Sequence, residues 1–487
     1  MANLLPLSLS MIYILLVLGL ATLVAKYTEG ASENSRKLVH ILVGNWVFLL
    51  PLFTDLWAVL LVPAVFVVVN SLSLRYKLIP AMERDDDSLG TVFYAISMLL
   101  LSGAGYLMEQ PLLPYVGLLS MTYGDGLAPI TGKRWGKRKP FRFATDKTLV
   151  GTVTVGLVTL VITVVAILVF EGDAGLSGSL VLRAVAIGLV TAVFGSYIEL
   201  TGSKGCDNLT LPIGTGLTAM LLAEHASPAL AIYLTTAMLL LVIAYKLRAI
   251  TPDGIVAAML TALTLFTLGD VWVGLSLLLF FVLGSAVSKI KNEGKRRAEA
   301  GQESSGPRNW IQVLANSLPA SLVLWSAVFW LGHDFVGLLA ITVFAAAAAD
   351  TFSSELGMLS GGKVFHILTG KPVPAGLSGG VSWAGFAAGL LGSFLLALLA
   401  LPNYGAAGLL FATLVGFAGS LLDSVLGSVL QRGYRNVHGQ LQDRHEIGGQ
   451  PAAKGLALIS NNAVNLITLS ILVLAAQLLY YLQFLTP

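Results

Sequence analysis

Long apolar runs recur along the 487-residue chain, and its polar residues are gathered into the stretches between those runs. An α-helix rises about 1.5 Å per residue, so roughly 20 apolar residues cross the ~30 Å hydrocarbon layer of a bilayer. Runs of this size predict about sixteen transmembrane helices, at residues 8–26, 37–53, 56–74, 89–108, 111–131, 148–170, 180–200, 208–224, 226–247, 252–269, 271–290, 310–332, 334–350, 379–401, 405–430 and 456–483. The alternating segments of about 10 residues that mark a membrane β-barrel are not evident. The pattern therefore predicts an all-α, polytopic integral membrane protein.

The positions of the basic residues indicate how these helices are oriented. All Lys and Arg residues except Arg183 lie in, or at the edges of, alternate loops, and the short loops between these contain none. Cytoplasmic loops of membrane proteins carry the excess of Lys and Arg. We therefore expect the basic loops to be cytoplasmic and both termini to lie on the opposite side. The longest polar run, residues 288–309, is expected to be a flexible cytoplasmic loop.

Composition narrows the class of protein further. Only 11% of the residues are charged and 56% are hydrophobic, whereas a soluble domain has about 25% charged residues. This balance excludes a soluble enzyme, a disordered chain and a nucleic-acid-binding protein. A single cysteine, Cys206, excludes an internal disulfide and a cysteine-based metal site.

The first concentration of candidate chemistry lies at residues 123–152. An acid flanked by glycines interrupts an apolar stretch, and five basic residues follow within the seven positions 133–139. Phosphoryl transfer needs a carboxylate for Mg²⁺, cations for phosphate oxygens, and glycines that let backbone N–H groups approach a phosphate. The candidate residues of this segment are Gly124, Asp125, Gly126, Lys133, Lys137, Arg138, Lys147 and Gly151. Topology alone requires basic residues here but no acid, so the pattern favours a nucleotide site.

Further candidates lie at the edges of later spans. Glu199 ends one apolar span, and Asp207 and Asn208 begin the next. A charge at the edge of a span is costly unless it is used, although Asp207 or Asn208 could also simply cap the following helix. No Walker A pattern and no protein-kinase motif set is present.

Four segments of the first half together resemble the CTP-dependent polyprenol kinases, the group that contains dolichol kinase and the phytol kinases. They are ENSRKLVHILVGN (33–45), GDGLAPITGKRWGKRK (124–139), DKTLVGT (146–152) and the spaced IEL…DNLTLPI (198–213). The resemblance implies CTP as phosphoryl donor and a lipid alcohol as acceptor. It implies site roles for Arg36, Lys37, His40, Asp125, Lys147, Glu199, Asp207 and Asn208. Thr148 and Thr152 stand where serines are often found, which leaves CTP or UTP open as the donor.

The second half has its own constellation of polar residues within apolar surroundings. Asp350 ends an alanine-rich run and Glu355 follows five residues later, so the two could share a Mg²⁺ ion. The loop at 370–381 contains Lys371, and its Gly and Ser N–H groups at the start of the next span could bind an anion. The candidate residues of this half are Asp350, Glu355, Lys371, Ser378, Gly379, Gly380, Asp423, Asn461 and Asn465. Their structural alternative is a tight packing face that ends in a helix cap.

This half resembles a membrane family that includes the plant phytyl-phosphate kinase. The matching segments are ITPDGIVAA (250–258), WIQVLAN (310–316), ADTFSSELG (349–357), GKPVPAGLSGGVS (370–382), GSLLDSVLGSVLQ (419–431) and NNAVNLIT (461–468). The resemblance implies that Asp350, Glu355, Lys371, Ser378, Gly379, Asp423, Asn461 and Asn465 belong to a site. The two halves also order their features alike, which suggests a distant duplication.

These observations predict two domains, residues 1–247 and 248–487, each with a Mg²⁺-dependent phosphotransferase site. The first is expected to convert an isoprenoid alcohol such as phytol, geranylgeraniol or farnesol to its monophosphate, and the second to convert that monophosphate to the diphosphate. Two alternatives stay open. A cytidylyltransferase would join CTP to a lipid phosphate, and a transporter would place its charges near the bilayer midplane. The expected partners are these lipid substrates and the bilayer, without nucleic acid.

Overall fold

A computed structural model describes residues 2–27, 33–76, 89–172, 175–202, 205–301, 306–329, 335–435, 441–444 and 453–485. The chain forms two compact units, Met1–Ala226 and Ser227–Pro487. The observed boundary, after residue 226, lies one helix before the predicted boundary after residue 247, because the helix Pro228–Lys246 belongs to the second unit.

The first unit is built from nine helices in its described residues. They are α1 (Leu4–Tyr27), α2 (Glu33–Gly44), α3 (Leu56–Tyr76), α4 (Gly90–Leu107), α5 (Leu112–Leu119), α6 (Gly126–Trp135), α7 (Leu149–Glu171), α8 (Gly178–Thr201) and α9 (Asp207–His225). A 3₁₀ segment, Asn45–Leu52, continues α2, and a π-helical segment, Ser120–Asp125, joins α5 to α6. Helix α7 packs on α8, and α5 packs on α9.

The second unit contains nine helices and two short strand pairs in its described residues. The helices are α10 (Pro228–Lys246), α11 (Pro252–Thr264), α12 (Val271–Lys289), α13 (Glu293–Ala300), α14 (Trp310–Phe329), α15 (Val336–Leu359), α16 (Trp383–Ala397), α17 (Leu401–Val429) and α18 (Asn461–Leu485). The strands β1 (Phe365–His366) and β2 (Gly380–Val381) pair antiparallel, as do β3 (Tyr434–Arg435) and β4 (Leu441–Gln442). The predicted all-α class is confirmed.

Helix α15 lies at the centre of the second unit. It packs against α12, α14, α16 and α17, and all five alanines at 345–349 are buried. Glycines of the neighbouring helices allow this close approach: a Cβ at Gly392 of α16 would lie 2.8 Å from the Ala348 main-chain oxygen. Small residues at helix contacts are typical of membrane helix packing. The alanine-rich run therefore is a packing face, and it also holds Asp350 inside the unit.

The described residues contain twelve stretches long and apolar enough to cross a membrane, instead of the sixteen predicted. Three predicted spans correspond to other structures. Residues 37–53 form a shorter apolar helix that ends in 3₁₀ geometry, residues 111–131 are interrupted by the π-helical segment, and residues 208–224 form the Thr- and Gly-containing α9. The predicted spans at 379–401 and 405–430 correspond to α16 and α17, which pack on each other and lie in one continuous apolar stretch, Trp383–Val429.

Candidate active site

The first unit encloses a cavity of about 640 Å³, which we call the first cavity. Its lining combines charged residues with apolar residues such as Phe66, Leu74 and Met98. Among the lining residues are the predicted Lys37, His40, Asp125, Lys133, Lys147, Gly151, Glu199, Asp207 and Asn208. Residues far apart in the sequence thus meet in one cavity that offers both charge and apolar surface.

Asp125 lies at the end of the π-helical segment and is held by a lysine from α2. Lys37 Nζ donates a hydrogen bond to Asp125 Oδ2 at 2.8 Å and to the Asp125 main-chain oxygen at 3.0 Å. His40 Nε2 lies 3.6 Å from the same Oδ2 atom. Because α2 places Lys37 and His40 one turn apart, both side chains reach the same carboxylate.

A second ion-pair group surrounds Lys147, just before α7. Its Nζ atom lies 2.5 Å from Glu199 Oε1 and 3.5 Å from Asp207 Oδ2. Burial alone would lower the pKa of the Lys147 ammonium, but the Glu199 and Asp207 carboxylates raise its pKa above the usual range. Lys147 therefore stays protonated at neutral pH. The other oxygen of Glu199, Oε2, is buried and has no hydrogen-bond partner among the described residues.

Local backbone structure fixes these groups in place. Thr148 caps α7, since its Oγ1 atom accepts a hydrogen bond from the Gly151 N–H at 3.1 Å. A Cβ at Gly151 would lie 3.1 Å from the Ala128 main-chain oxygen, so glycine permits the close packing of α6 on α7. Asn208 donates to the main-chain oxygen of Gly90 at 2.8 Å, which ties α9 to α4.

Some predicted residues of the first half lie elsewhere. Gly124 and Gly126 flank Asp125 within the helical path, where they face Val155 and Ile41, and Lys137 and Arg138 are exposed and outside the lining. The side chain of Arg36 lies outside the described residues.

Sequence reasoning missed Tyr94 and Lys139, which line the first cavity. The Tyr94 ring stacks on the His40 ring with centroids 4.7 Å apart, and its hydroxyl donates to the His40 main-chain oxygen at 3.2 Å. A lone tyrosine inside an apolar span carries no signal in the sequence, whereas Lys139 belongs to the basic run at 133–139.

The second unit encloses a cavity of about 240 Å³, the second cavity. Its lining includes the predicted Asp350, Ser378, Gly379, Gly380, Asp423 and Asn461. Asp423 Oδ1 accepts a hydrogen bond from Thr468 Oγ1 at 3.1 Å. With its amide nitrogen turned toward the acceptors, Asn465 also donates to Asp423 Oδ1, at 3.2 Å. The Asp350 carboxylate has no hydrogen-bond or ion-pair partner within the described residues.

The glycine-rich loop of this cavity is held by an acid that the sequence did not single out. Both the N–H and the hydroxyl of Ser378 donate to Asp443 Oδ2, at 3.0 and 2.6 Å. Gly379 has φ +84°, and a Cβ there would lie 2.3 Å from Ser428 Cβ, so only glycine fits. The Gly380 N–H donates to the Leu377 main-chain oxygen.

At the start of the next helix, where an anion site was expected, an N–H group likewise has an acceptor within the protein. Helix α16 is already capped by Ser382, whose Oγ accepts the Gly385 N–H at 3.0 Å. The N–H groups of Ser378, Gly380 and Gly385 are therefore engaged by the protein itself.

Glu355 and Lys371, grouped with this site from the sequence, lie outside the second cavity. Glu355 Oε2 lies 2.6 Å from Lys295 Nζ, and its Oε1 accepts a hydrogen bond from Ser288 at 2.7 Å. Lys371 is exposed on the turn between β1 and β2, where its main-chain oxygen accepts the His366 N–H. Lys371 therefore does not line the cavity in which its cation was expected.

Comparison with known proteins identifies a family for the part of the chain that forms the second cavity. Residues 235–473, which contain every lining residue of the second cavity, match the family model "Integral membrane protein DUF92". Protein PGR of Arabidopsis thaliana is 31% identical over 265 residues, which are 46% of this chain and 87% of the relative. This part of the chain belongs to the DUF92 family. The family description and the twelve apolar stretches of the described residues agree with the predicted all-α integral membrane protein.

Two further relatives are similar to parts of the chain. Phytol kinase of Synechocystis sp. is 33% identical over 201 residues, covering 41% of this chain and 83% of the relative. An uncharacterised membrane protein of Methanocaldococcus jannaschii is 34% identical over 188 residues, covering 38% of this chain and 77% of the relative. Each relative thus covers less than half of this DUF92 protein. No solved structure matches the chain.

In the second unit of this DUF92 protein, α13 contains a buried lysine that forms an ion pair with Glu355. Lys295 is fully buried, and its Nζ also donates to the Ile290 main-chain oxygen at 2.7 Å. Removing one member of a buried ion pair leaves the other charge uncompensated. Glu355 is thereby held as a structural partner of α13, outside the cavity.

Replacing Lys295 with Met is expected to destabilise the protein by about 3–5 kcal/mol, because Glu355 would stay buried without its partner. The matched control is Lys291→Met. Lys291 is nearly half exposed and pairs with Glu299 at 2.9 Å, so its loss should cost about 1 kcal/mol or less. Thermal unfolding in detergent measures both variants. Equal melting temperatures would contradict a structural role for the Lys295–Glu355 pair.

Proposed function

We propose that this DUF92 protein is an isoprenoid-alcohol kinase whose first unit transfers the γ-phosphoryl group of CTP, or of UTP, to the alcohol. The observation that carries the proposal is the first cavity, where Lys37–Asp125 and Lys147–Glu199 lie in one lining with apolar residues. An amphiphilic substrate needs such a combination, since its hydroxyl requires polar partners and its chain requires apolar ones. The similarity to a phytol kinase supports the same reaction and acceptor.

The residues of the first cavity have distinct roles in this reaction. The alcohol oxygen attacks the γ-phosphorus, a new P–O bond forms, the bond between the γ-phosphorus and the β–γ bridging oxygen breaks, and CDP leaves. Lys147, fixed by two carboxylates, neutralises charge on the transferred group. Lys133 and Lys139, at the cavity lining, attract the nucleotide phosphates. The proton of the alcohol passes to a carboxylate of the same cavity.

The acidic residues fit a Mg²⁺ ion that arrives with the nucleotide. The described residues contain no group of three or more His, Cys, Asp and Glu side chains that could hold a metal alone. Mg²⁺ at a nucleotide site usually needs only one or two carboxylates, since water and phosphate oxygens complete its shell. Asp125 and Asp207 line the cavity and would hold the ion, and the unpartnered Glu199 Oε2 is a further candidate oxygen. Bound Mg²⁺ would neutralise charge on the phosphates.

The second unit is proposed to phosphorylate the monophosphate to the diphosphate. Its cavity contains Asp350 and Asp423, which would hold nucleotide-bound Mg²⁺. A phosphate monoester oxygen is already largely ionised at neutral pH, so this step needs no strong base. Linking the two activities in one chain raises the effective concentration of the intermediate at the second site.

CTP labelled at either the α- or the γ-phosphate tests the proposed reaction. With purified protein and farnesol, we expect γ-label in the lipid product and CDP in solution. Transfer of α-label to lipid, with release of pyrophosphate, would instead identify a cytidylyltransferase. If no lipid is labelled and the protein moves intact lipid between leaflets of a vesicle, the transporter alternative holds.

We also propose that the basic loops are cytoplasmic, because the nucleotide is available on that side. Glu293→Cys and Ser177→Cys variants in a Cys206→Ser background test this. Both positions are exposed, and they lie in a basic and a non-basic segment respectively. Impermeant thiol reagents should label position 293 only from the cytoplasmic side and position 177 only from the other. Labelling of position 293 from outside would reverse the orientation.

A further inference from the structure

Arg308 lies in an apolar pocket of the second unit, just before α14. The pocket has a volume of about 40 Å³, and we call it the Arg308 pocket. The Arg308 guanidinium carbon lies 5.4 Å from the ring centroid of Phe280 and 5.8 Å from that of Phe281. No carboxylate of the described residues lies within ion-pair distance of it, although Glu355 interacts with it over a longer distance, and the pocket lining includes leucines of α10 and α12.

This guanidinium lies beside the helix that bears the acid of the second cavity. A Cβ at Gly284 would lie 2.9 Å from Arg308 Nη2 and 3.7 Å from Thr351 Cγ2, so Gly284 leaves room for the guanidinium next to α15. Thr351 follows Asp350 directly in the chain. Gln312, one helical turn after Arg308, lines both the Arg308 pocket and the second cavity.

The second cavity needs a cation, and the positions expected from the sequence do not provide one. Among the described residues its lining includes Asp350, Asp423 and Asp443 but no Lys or Arg, and Lys454, which donates to the Ser378 main-chain oxygen at 3.4 Å, interacts with Asp443. Lys371 is exposed on the turn between β1 and β2, and Lys295 forms an ion pair with Glu355. A phosphate group brought to two carboxylates would be repelled unless a positive charge lay close by.

We propose that Arg308 and Gln312 bind the phosphate group of the prenyl monophosphate, and that the leucines of the Arg308 pocket contact the first carbons of its chain. This inference rests on the proposed activity of the second unit. A guanidinium presents a planar fork of N–H donors that matches phosphate oxygens in a bidentate manner. The Phe280 and Phe281 rings keep the fork oriented without using its donors, as cation–π contacts do.

The ligand class follows from the two kinds of surface that meet here. Inorganic phosphate would use the guanidinium alone, whereas a prenyl alcohol would use the leucines alone. A lipid monophosphate uses both, and its phosphate would lie on the side of Gln312 that faces Asp350 and Asp423. Arg308 is therefore assigned to substrate recognition in the second step.

Photocrosslinking with a farnesyl monophosphate analogue that carries a diazirine near the phosphate tests this in the full-length protein in detergent. The expected crosslinks map to α10 and α12, are displaced by farnesyl monophosphate, and are not displaced by farnesol or inorganic phosphate at the same concentration. Arg308→Gln should reduce this labelling at least about 10-fold. Arg308→Lys should restore part of it, and the matched control Arg296→Gln, on the exposed face of α13, should label like the wild type.

Turnover separates failure of this site from failure of the proposed function. In synthesis of diphosphate from supplied monophosphate, Arg308→Gln should raise KM at least about 10-fold and change kcat less. Labelling that does not depend on Arg308, or an unchanged KM, would overturn the site while the kinase assignment stands. Labelling that depends on Arg308 in a protein that makes no diphosphate would support the site and overturn the proposed second activity. Melting temperatures of Arg308→Gln and Arg308→Lys that equal that of the wild type show that folding is intact in both variants.

Discussion

Replacing Asp125 with Asn is expected to reduce phosphorylation of the isoprenoid alcohol by at least about 100-fold, while supplied monophosphate is still converted to diphosphate. The Asp125 carboxylate accepts a hydrogen bond from Lys37 at 2.8 Å and lies in the first cavity. Asn keeps the shape of the side chain but removes its charge, so the nucleotide-bound Mg²⁺ loses a ligand and Lys37 loses its counter-ion. Rates of mono- and diphosphate formation, measured separately, test this.

The matched control is Glu171→Gln. Glu171 ends α7 at the opposite end from Thr148 and pairs with Arg183 at 2.5 Å. This change also removes one acid from the first unit, yet it should leave alcohol phosphorylation within about twofold, as surface pairs contribute little. If Asp125→Asn makes monophosphate at the normal rate, Asp125 has a purely structural role and the proposed site is wrong.

Replacing Asp423 with Asn should abolish diphosphate synthesis and make the monophosphate accumulate. An ionised acid within apolar helices costs a few kcal/mol, and nucleotide-bound Mg²⁺ would offset that cost. Asn can still accept the hydrogen bond from Thr468 Oγ1, seen at 3.1 Å for Asp423, so folding should persist. Asp350→Asn is expected to act in the same way. Phosphate analysis of the lipid products after incubation with alcohol and CTP measures the effect.

Asp270→Asn is the control in the same unit. Asp270 caps α12 by accepting the N–H groups of Trp272 and Val273, and Asn is an equally good cap. The control should make diphosphate normally. Normal diphosphate synthesis by Asp423→Asn would mean that the acid only packs. If well-folded Asp423→Asn protein loses both activities, one composite site would replace the two-site account.

The helical class and the clustering of the first-half acids were accessible from the sequence because hydropathy and charge are properties of local segments. Asp125, Lys147, Glu199 and Asp207 stood out as charges within or beside apolar runs, and the structure places them around one cavity. The number of spans was less accessible. The π-helical segment at Ser120–Asp125 interrupts the predicted span at 111–131, and a hydropathy pattern does not specify π-helical geometry.

The partners of the second-half residues depended on tertiary contacts that no local pattern reveals. Lys295 lies in a polar run that is typical of an exposed loop, yet α13 buries it against Glu355, 60 positions later. Likewise, Asp443 holds Ser378 across 65 positions. The duplication of the two halves stays a prediction.

The central claim is that the chain adds phosphoryl groups to an isoprenoid alcohol, and the products formed from phytol test it most directly. Purified protein in lipid nanodiscs is incubated with phytol, CTP and Mg²⁺, and the lipids are followed by mass spectrometry over time. The account predicts phytyl monophosphate first and phytyl diphosphate afterwards, with one CDP released for each phosphoryl group transferred. Phytol that stays unmodified together with intact CTP, across phytol, geranylgeraniol and farnesol, would contradict the account.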